Sequence, residues 1–483
     1  MFWILLIIVI ILYLLLAWIT MRPQNFPPGP PYLPVIGSAP FLQSKNFHFL
    51  MEKWRSQYGP VVGIFLGRQP AIAVCEPSTV LEVLKREEFQ GRPDNESLRE
   101  RSLGKHLGIM FNDGPAWAEQ RRFTLRHLKE FGFGKTSMES LIIEEVHDLL
   151  EAVGNKTLQV SGLFNISSVN VLWGVMAGMR YKRDDPELRN LLDNLTKLFR
   201  AGNVTGATLR VIFPFLKRIA PSLVDDGTTK TFHQLHHFIR KIIQEHKKVL
   251  DENLPRDFID AYLIEMLKQP PENSSFSEDM LVIICMDLFA AGAESVGNTL
   301  SFALLYMVLH PEVQEKVQKE IDHQIGRGRL PSLQDKSSLQ YTEAVLMEIQ
   351  RINSIAPLTV PHRATRDTEL KGYFIPKDTF VTVSIWSLLQ DKSFWHDPTS
   401  FRPERFLDSS GKISRQEWFL PFGVGKRLCP GEAFARNMLF LVFTSLLQKY
   451  SVTLPPGHLK PSTLPLPGFT TAPQPFEVTF ISR

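Results

Sequence analysis

From about Phe41 to Thr359 apolar residues recur mainly at helical spacing, three and four apart, which predicts a mostly helical body. The longest such run extends from Phe276 to about Val308 and is apolar on most faces, so it is expected at the centre of the fold. SFSE at its start has the form of a capping box, with Ser275 as cap and Glu278 three residues on, and His310-Pro311 closes it. At 3.6 residues per turn this makes about nine turns and about 50 Å, enough to cross a large domain. The spacing changes in VVGIFLGRQPAIAVCEP, where β-branched residues around a Gly-Arg-Gln-Pro turn predict a short β insert. Further β-like pieces follow Pro357, in VTVSIW, and near the C-terminus. The pattern predicts a mainly α domain with small β-sheets, with no internal repeat and no low-complexity segment.

The N-terminus departs from this pattern. Phe2 to Ile19 carries no charge over eighteen residues. As a helix it would be about 27 Å long, close to the hydrocarbon thickness of a thin bilayer. Trp3 and Trp18 bracket it as interfacial anchors do. A cleaved signal peptide would have a basic stretch before the run and a small-x-small site after it, and the sequence has neither. Arg22 follows the run, and the positive-inside bias then keeps the rest of the chain in the cytosol. Residues 1–21 are therefore expected to form a transmembrane anchor. Asn25 to Pro34, NFPPGPPYLP, is too proline-dense for a helix, and 22–34 is expected to be a stiff hinge that orients the body, 35–483, against the membrane. N-x-S/T sites at Asn95, Asn155, Asn165, Asn194, Asn203 and Asn273 are expected to stay unmodified on a cytosolic body. RVIFPFL, Arg210 to Leu216, reads equally as core or as a second membrane contact or channel wall.

Composition narrows the function classes. The 483 residues are 44% hydrophobic and 22% charged, as in a globular protein with an extensive core. A net charge of +4 with no long basic block argues against nucleic acid as a partner. Three scattered cysteines, Cys75, Cys285 and Cys429, make no disulfide framework and suit a reducing compartment. In FHQLHHFIRKIIQEH, His233, His236, His237 and His246 have spacings that could hold a metal, but a polar helix face is the simpler reading.

Cys429 stands in FGVGKRLCPG, Phe422 to Gly431, an unusual address for a core cysteine. Lys426 and Arg427 precede it, and cations favour the thiolate, which is the ligating form. Pro430 suits the first turn of the helix that follows. Gly423, Gly425 and Gly431 let the backbone turn tightly and approach a flat ligand. Neither further cysteines nor clustered histidines for zinc lie near it, a CxxC pair is absent, and the GxxxxGK[ST] phosphate-loop spacing fails. A single thiolate is the axial ligand of the haem-thiolate class, where it favours O–O cleavage.

Phe422-x-x-Gly425-x-Arg427-x-Cys429-x-Gly431 resembles the haem-binding signature of the cytochrome P-450 superfamily. Glu348-Ile-Gln-Arg351 resembles the family's ExxR helix and Phe401 to Phe406, FRPERF, its PERF segment. Trp117-Ala-Glu-Gln-Arg121 resembles its WxxxR helix, and Ala291-Gly292-Ala293-Glu294-Ser295 its oxygen-activation motif. The N-terminal run and PPGPP are similar to the animal microsomal branch, so the resemblance spans essentially the whole chain. It implies the triangular P-450 fold around a long central helix, preceded by a transmembrane helix, and haem b (iron protoporphyrin IX) as cofactor.

The resemblance assigns roles residue by residue. Cys429 would ligate the iron, within a cofactor-binding loop that includes Phe422, Arg427 and Gly431. Trp117, Arg121, His362 and Arg427 would face the haem propionates. Glu348, Arg351 and Arg405 would form a structural ion cluster that locks the cysteine loop to the core. Glu294 and Ser295 would be the catalytic pair, since a carboxyl and a hydroxyl can relay protons to bound dioxygen. Gly292 and Gly297 would leave room for that oxygen. Ser295 departs from the family's threonine; it keeps the hydroxyl and loses the methyl that fixes its rotamer. Arg121, Arg122, Arg126 and Lys129 would dock an NADPH-dependent flavoprotein reductase, and cytochrome b5 as a further donor.

The substrate pocket would be lined by Met110, Phe111, the stretch Leu198 to Phe215, Phe289, Ala293, Val296, Ala356, Leu358 and Phe469, with Arg200 and Arg210 turned to solvent. Such a largely apolar lining implies a lipophilic substrate of modest size. The implied reaction is hydroxylation or epoxidation of a terpenoid, steroid or xenobiotic at the endoplasmic reticulum membrane. The ending GFTTAPQPF is similar to insect members that act on terpenoid hormone precursors. The alternatives are a haem-thiolate isomerase or dehydratase that needs no reductase, and a non-catalytic haem- or lipid-binding protein.

Overall fold

The computed structural model describes residues 2–19, 22–42, 46–133, 137–201, 219, 227–269 and 274–483. RVIFPFL with Arg210, the rest of the expected pocket stretch beyond 201, and Asn203 and Asn273 lie outside the described residues.

The body is mainly helical and is organised on one helix, Glu278–Leu309, 32 residues long. By length and composition this helix could cross a membrane, yet 83% of its apolar window is buried inside the protein. Helices Asn165–Ala177, Thr228–Lys248, Gln340–Asn353 and Glu432–Lys449 pack around it. Its cap is Ser277, whose Oγ accepts Met280 N–H at 3.2 Å, and not the expected Ser275. Ser275 Oγ instead donates to Glu119 and accepts from Gln120 on the helix Gly114–Glu130. Both serines satisfy the local rule for a cap, and the neighbouring helix selects between them.

The strands are β1 (Val61–Leu66), β2 (Gln69–Val74), β3 (Thr157–Gln159), β4 (His362–Arg363), β5 (Thr368–Leu370), β6 (Tyr373–Ile375), β7 (Phe380–Val383), β8 (Tyr450–Thr453) and β9 (Glu477–Ser482). β1 and β2 form an antiparallel pair, extended by β7 parallel to β2 and by β4, in the order β1-β2-β7-β4. The other two sheets are β3-β9-β8 and β5-β6. VTVSIW is strand only through Val383: Ser384 Oγ accepts Ser387 N–H and starts a helix, Ile385–Gln390.

Phe2–Ile19 is helical, and its described side chains, Phe2 to Leu15, are exposed large apolar groups. The proline segment is clasped to the body. Arg22 donates to the Pro27 and Pro30 carbonyls at 2.9 Å each, and Gly63 N–H reaches Pro28 O at 2.7 Å. The histidine-rich helix presents two of its four histidines to the interior. His236 bonds the Arg101 carbonyl at 2.9 Å, and His246 lies between the Ile242 carbonyl and Asp257. His233 and His237 stay on the exposed polar face expected there, and His236 and His246 do not.

Glu348 and Arg351 have no exposed surface. Arg351 binds Glu348 through two nitrogens, at 2.7 and 2.9 Å, and Arg405 Nε reaches Glu348 Oε1 at 3.0 Å. Every remaining direction is closed by backbone. Arg402 N–H donates to Glu348, Arg351 to the Leu389 and Pro398 carbonyls, and Arg405 to those of Trp395, Asp397 and Ser400. Removing one partner strands the others in a dry site. Glu348→Ala should therefore lower stability by about 3–5 kcal/mol, read as an earlier urea midpoint at unchanged slope; an unchanged midpoint would show that the cluster is not structural.

Candidate cofactor site

Cys429 lies in a loop pressed on its own protein. Gly425 has φ +82°, and a Cβ there would come within 2.3 Å of Leu84 O, so the backbone runs directly against the helix Pro77–Lys85. Cys429 N–H donates to Phe422 O at 3.0 Å and closes the turn, and Arg436 covers the Phe422 ring at 5.0 Å. The following helix begins at Glu432 with Gly431 as cap, so Pro430 stands before the helix rather than in its first turn. Burial pushes the thiol of Cys429 up; the Gly431 N–H and the charge of Arg121 act in the opposite, thiolate-favouring direction.

A group of cations lies beside the loop. Arg427 stacks on the Trp117 ring, 3.6 Å from its centroid, and donates Nε and Nη2 to Gln90 O; its Nη1 is buried and has no partner. Arg121 donates to Leu428 O, next to the cysteine. Burial holds Arg427 down to about 9, with Asp113 opposing and Arg121 adding to the shift. Trp117, expected to reach the propionates alongside Arg121, donates its one N–H to Ile109 O at 3.0 Å instead, so it meets this cluster through its ring. His362 Nδ1 donates to Phe89 O at 2.7 Å; burial, reinforced by Arg92, keeps the ring well below its usual range and neutral.

Arg92 was invisible in the sequence. It is 6% exposed, donates to the Met110, Val360 and Pro361 carbonyls, and is held well below its ordinary value by burial and by Arg427 and Arg121. A single arginine in GRPD carries no local signal; only the fold puts it beside Arg427. The carboxylate acting on these arginines is Asp113, which is also paired with Arg363 at 2.8 Å. Crowded buried cations and an orphan guanidinium nitrogen fit an anionic partner, and the cysteine fits a soft metal. Haem carries both, so the residues present fit it.

The central helix is tied to this site through residues 101–117. Arg101 pairs with Asp287, whose Oδ2 also accepts Ile109 N–H at 2.7 Å and Met110 N–H at 2.9 Å. One helical turn further stands Ala291, and two turns further Glu294-Ser295. Ser295 Oγ donates back to Ala291 O at 2.8 Å. Glu294 is 2% exposed and accepts from Thr470 Oγ1 and from Arg200, which turns inward rather than to solvent. Gly292 and Gly297 face the helix Asn165–Ala177 instead of an oxygen site. A Cβ would meet Leu172 Cδ2 at 2.8 Å and Asn165 Oδ1 at 2.2 Å respectively.

The expected pocket residues divide. Phe289 points into the core, with its ring 5.1 Å from that of Trp173 and 5.9 Å from that of Phe238. Ala293 and Val296 are likewise buried among core residues, whereas Ala291 is exposed on another face of the same helix. Leu358 packs with Phe380 and the β1–β2 residues. Met110, Phe111, Ala356 and Phe469 are partly or fully exposed; Phe111 carries Arg101 over its ring at 5.0 Å and Phe469 packs on Phe199. A helix apolar all round gives no sequence cue to which face lines a cavity.

The cytochrome P450 family profile matches residues 27–480. Farnesoate epoxidase of Bombyx mori is 38% identical, over 99% of this chain and 98% of that protein. Probable cytochrome P-450 305a1 of Drosophila melanogaster is 36% identical, over 96% and 95%. Cytochrome P-450 2B2 of Rattus norvegicus is 35% identical, over 99% of each chain. With a match this long and a cysteine loop set among buried arginines, the chain belongs to the cytochrome P-450 family: it is an oxidoreductase of the monooxygenase class, and its cofactor is haem.

Proposed function

We propose that the chain inserts one oxygen atom of O2 into a lipophilic small molecule, with electrons passed from NADPH by a flavoprotein reductase. The observation that carries the reading is the Cys429 loop beside Arg92, Arg121 and Arg427, with Arg427 Nη1 unpartnered. Cys429 would hold the iron and Arg92, Arg121 and Arg427 the propionates, with Trp117 supporting Arg427 through its ring; His362, whose Nδ1 proton is committed to Phe89 O, would join them through Nε2 in its protonated form. When bound, haem supplies the oxygen-activating iron. The chain's own contribution is to fix the sulfur, neutralise the carboxylates and move protons. Ser295 reaches a proton acceptor by rotating its hydroxyl away from Ala291 O, and Glu294 is the neighbouring carboxylate. Glu348, Arg351 and Arg405 keep the loop on the core.

Residues 1–21 anchor the protein in the endoplasmic reticulum membrane, 22–34 form the hinge and 35–483 the catalytic domain on the cytosolic side. Support comes from the exposed apolar helix Phe2–Ile19 and from microsomal-type relatives. Arg122, Arg126 and Lys129 are exposed on the helix Gly114–Glu130 and offer a cationic face to the reductase or to cytochrome b5. The substrate is a terpenoid of the size of farnesoate, on the strength of the relative named for that reaction and of the partly exposed Phe111 and Phe469.

The reduced, carbon-monoxide-bound spectrum of the haem-loaded protein should show a strongly red-shifted Soret band that is lost in Cys429→Ser. A band indifferent to that change would remove the thiolate from the site. Arg92→Ala should retain the band but speed haem loss to apomyoglobin by about tenfold to a hundredfold, the equivalent of one charge-assisted hydrogen bond; an unchanged transfer rate would place Arg92 outside the cofactor's reach.

A further inference from the structure

The helix Asn165–Ala177 meets the central helix in reverse residue order. Trp173 faces Phe289 with ring centroids 5.1 Å apart, Leu172 and Ser168 meet Gly292, and Asn165 meets Gly297. Asn165, Ser168 and Leu172 are three and four residues apart and so share one face. Opposite them the central helix has two glycines. A Cβ on Gly292 would stand 2.8 Å from Leu172 Cδ2, and one on Gly297 2.2 Å from Asn165 Oδ1, so both contacts depend on the missing Cβ. The other side of the same helix is fixed as well. Asn170 Nδ2 donates to Glu145 Oε1 at 2.9 Å and to Tyr181 O at 2.8 Å, and its Oδ1 accepts Tyr181 N–H at 2.9 Å.

The hydroxyls along this contact behave in two ways. Ser295, Thr299 and Ser301 on the central helix each donate to the carbonyl four residues back, at 2.8 Å, the ordinary local bond of a helical hydroxyl. Ser168 has the same kind of acceptor on its own helix in Phe164 O, which its N–H reaches at 3.1 Å. Its hydroxyl crosses instead to Gly292 O at 2.8 Å, and the residue has no exposed surface. In an α-helix that carbonyl also receives Val296 N–H, so Gly292 O is a shared acceptor. An outside donor on a helix carbonyl sets the tilt of its peptide plane. The plane it sets, 292–293, lies between Ala291, whose carbonyl takes the Ser295 hydroxyl, and the Glu294-Ser295 pair. Ser295 lacks the methyl of a threonine, so its rotamer follows the backbone and its neighbours rather than its own branching.

We infer that Ser168 is a positioning residue for the Ala291–Ser295 turn: a helix fitted to Gly292 and Gly297 delivers its hydroxyl to Gly292 O and fixes the backbone from which Ser295 works. The inference rests on the proposed reading of Glu294-Ser295 as the proton relay. Ser168 acts through the backbone and not on the substrate. Held by Ser168, the turn presents the Ser295 hydroxyl in one geometry; released, it samples several. A misplaced relay lets O2 take two electrons from NADPH and two protons from water and leave as hydrogen peroxide, with no oxygen passed to the substrate.

The test uses the full-length, haem-loaded protein with its reductase, farnesoate as the probe substrate, and the variants Ser168→Ala, Ser168→Thr and Ser168→Val. Threonine and valine fill nearly the same space, so that pair separates the hydroxyl from the volume. Hydrogen peroxide released per NADPH consumed should rise about threefold in Ser168→Ala and Ser168→Val and stay at the wild-type level in Ser168→Thr. Gly297→Ala should raise it as well, and adding Asn165→Ala should bring it back, because the new Cβ then has room. Independently of turnover, amide hydrogen exchange in peptides covering 290–298 should be about fivefold faster in Ser168→Ala and Ser168→Val than in wild type and Ser168→Thr, the equivalent of one hydrogen bond lost from local opening. Equal exchange in the threonine and valine variants would overturn the positioning role, since the volume and not the hydroxyl would then matter. Faster exchange with an unchanged peroxide fraction would overturn its link to the relay. A wild-type peroxide fraction in Ser295→Ala would overturn the proton-relay reading itself, and the exchange measurement would still decide the role of Ser168.

Discussion

A carboxylate with no exposed surface, gripped by two arginines, is the constraint on which the rest of this structure depends. Glu348 is held by Arg351 from its own helix and by Arg405 from the PERF segment. Charges this deep are tolerated when every donor and acceptor is matched, and here backbone carbonyls of Leu389, Trp395, Asp397, Pro398 and Ser400 complete the set. Those carbonyls come from one continuous stretch, 389–400. The cluster therefore dictates the path of the chain just before the cysteine loop as well as the position of one helix.

A second buried pair does the same for the segment ahead of Trp117. Asp287 binds Arg101 and the amides of Ile109 and Met110, and so sets where residues 107–111 pass the central helix. Ile109 in turn accepts the Trp117 indole, Trp117 carries Arg427, and Arg427 stands two residues from Cys429. A continuous series of contacts thus runs from the central helix to the cysteine loop. Ala291–Ser295 and Cys429 belong to segments more than a hundred residues apart, and polar contacts through one intervening loop position them relative to each other.

The electrostatics separate into two regions with opposite requirements. Beside Cys429, cations outnumber their carboxylate partners, and burial lowers Arg92 and Arg427 from their usual values. At Glu294 the charges are balanced one to one by Arg200. An anionic cofactor would complete the first region, and the second is complete as it stands. That difference is why the cation cluster reads as a binding site and the Glu294 pair as internal machinery.

Local chemistry was legible in the sequence. The cysteine loop is contiguous, its glycines and arginine are read directly, and its spacing resembles one family. The central helix and the β1–β2 pair were also legible, because apolar periodicity is a property of neighbouring residues. What crosses the fold was not. Arg92 has no local signal, Ser275 and Ser277 are equally good caps, and Arg200 looks like any surface arginine at a helix end. Phe289 and Ala291 lie on one uniformly apolar helix, and only the packing of Trp173 and Phe238 decides that Phe289 belongs to the core. The sequence by itself determined which elements form and which ligand chemistry Cys429 offers, since both arise from residues near each other in the chain. Tertiary structure alone decided which buried charges meet, because partners such as Arg200 and Glu294 or Trp117 and Ile109 are chosen by the geometry of packed elements and not by their spacing.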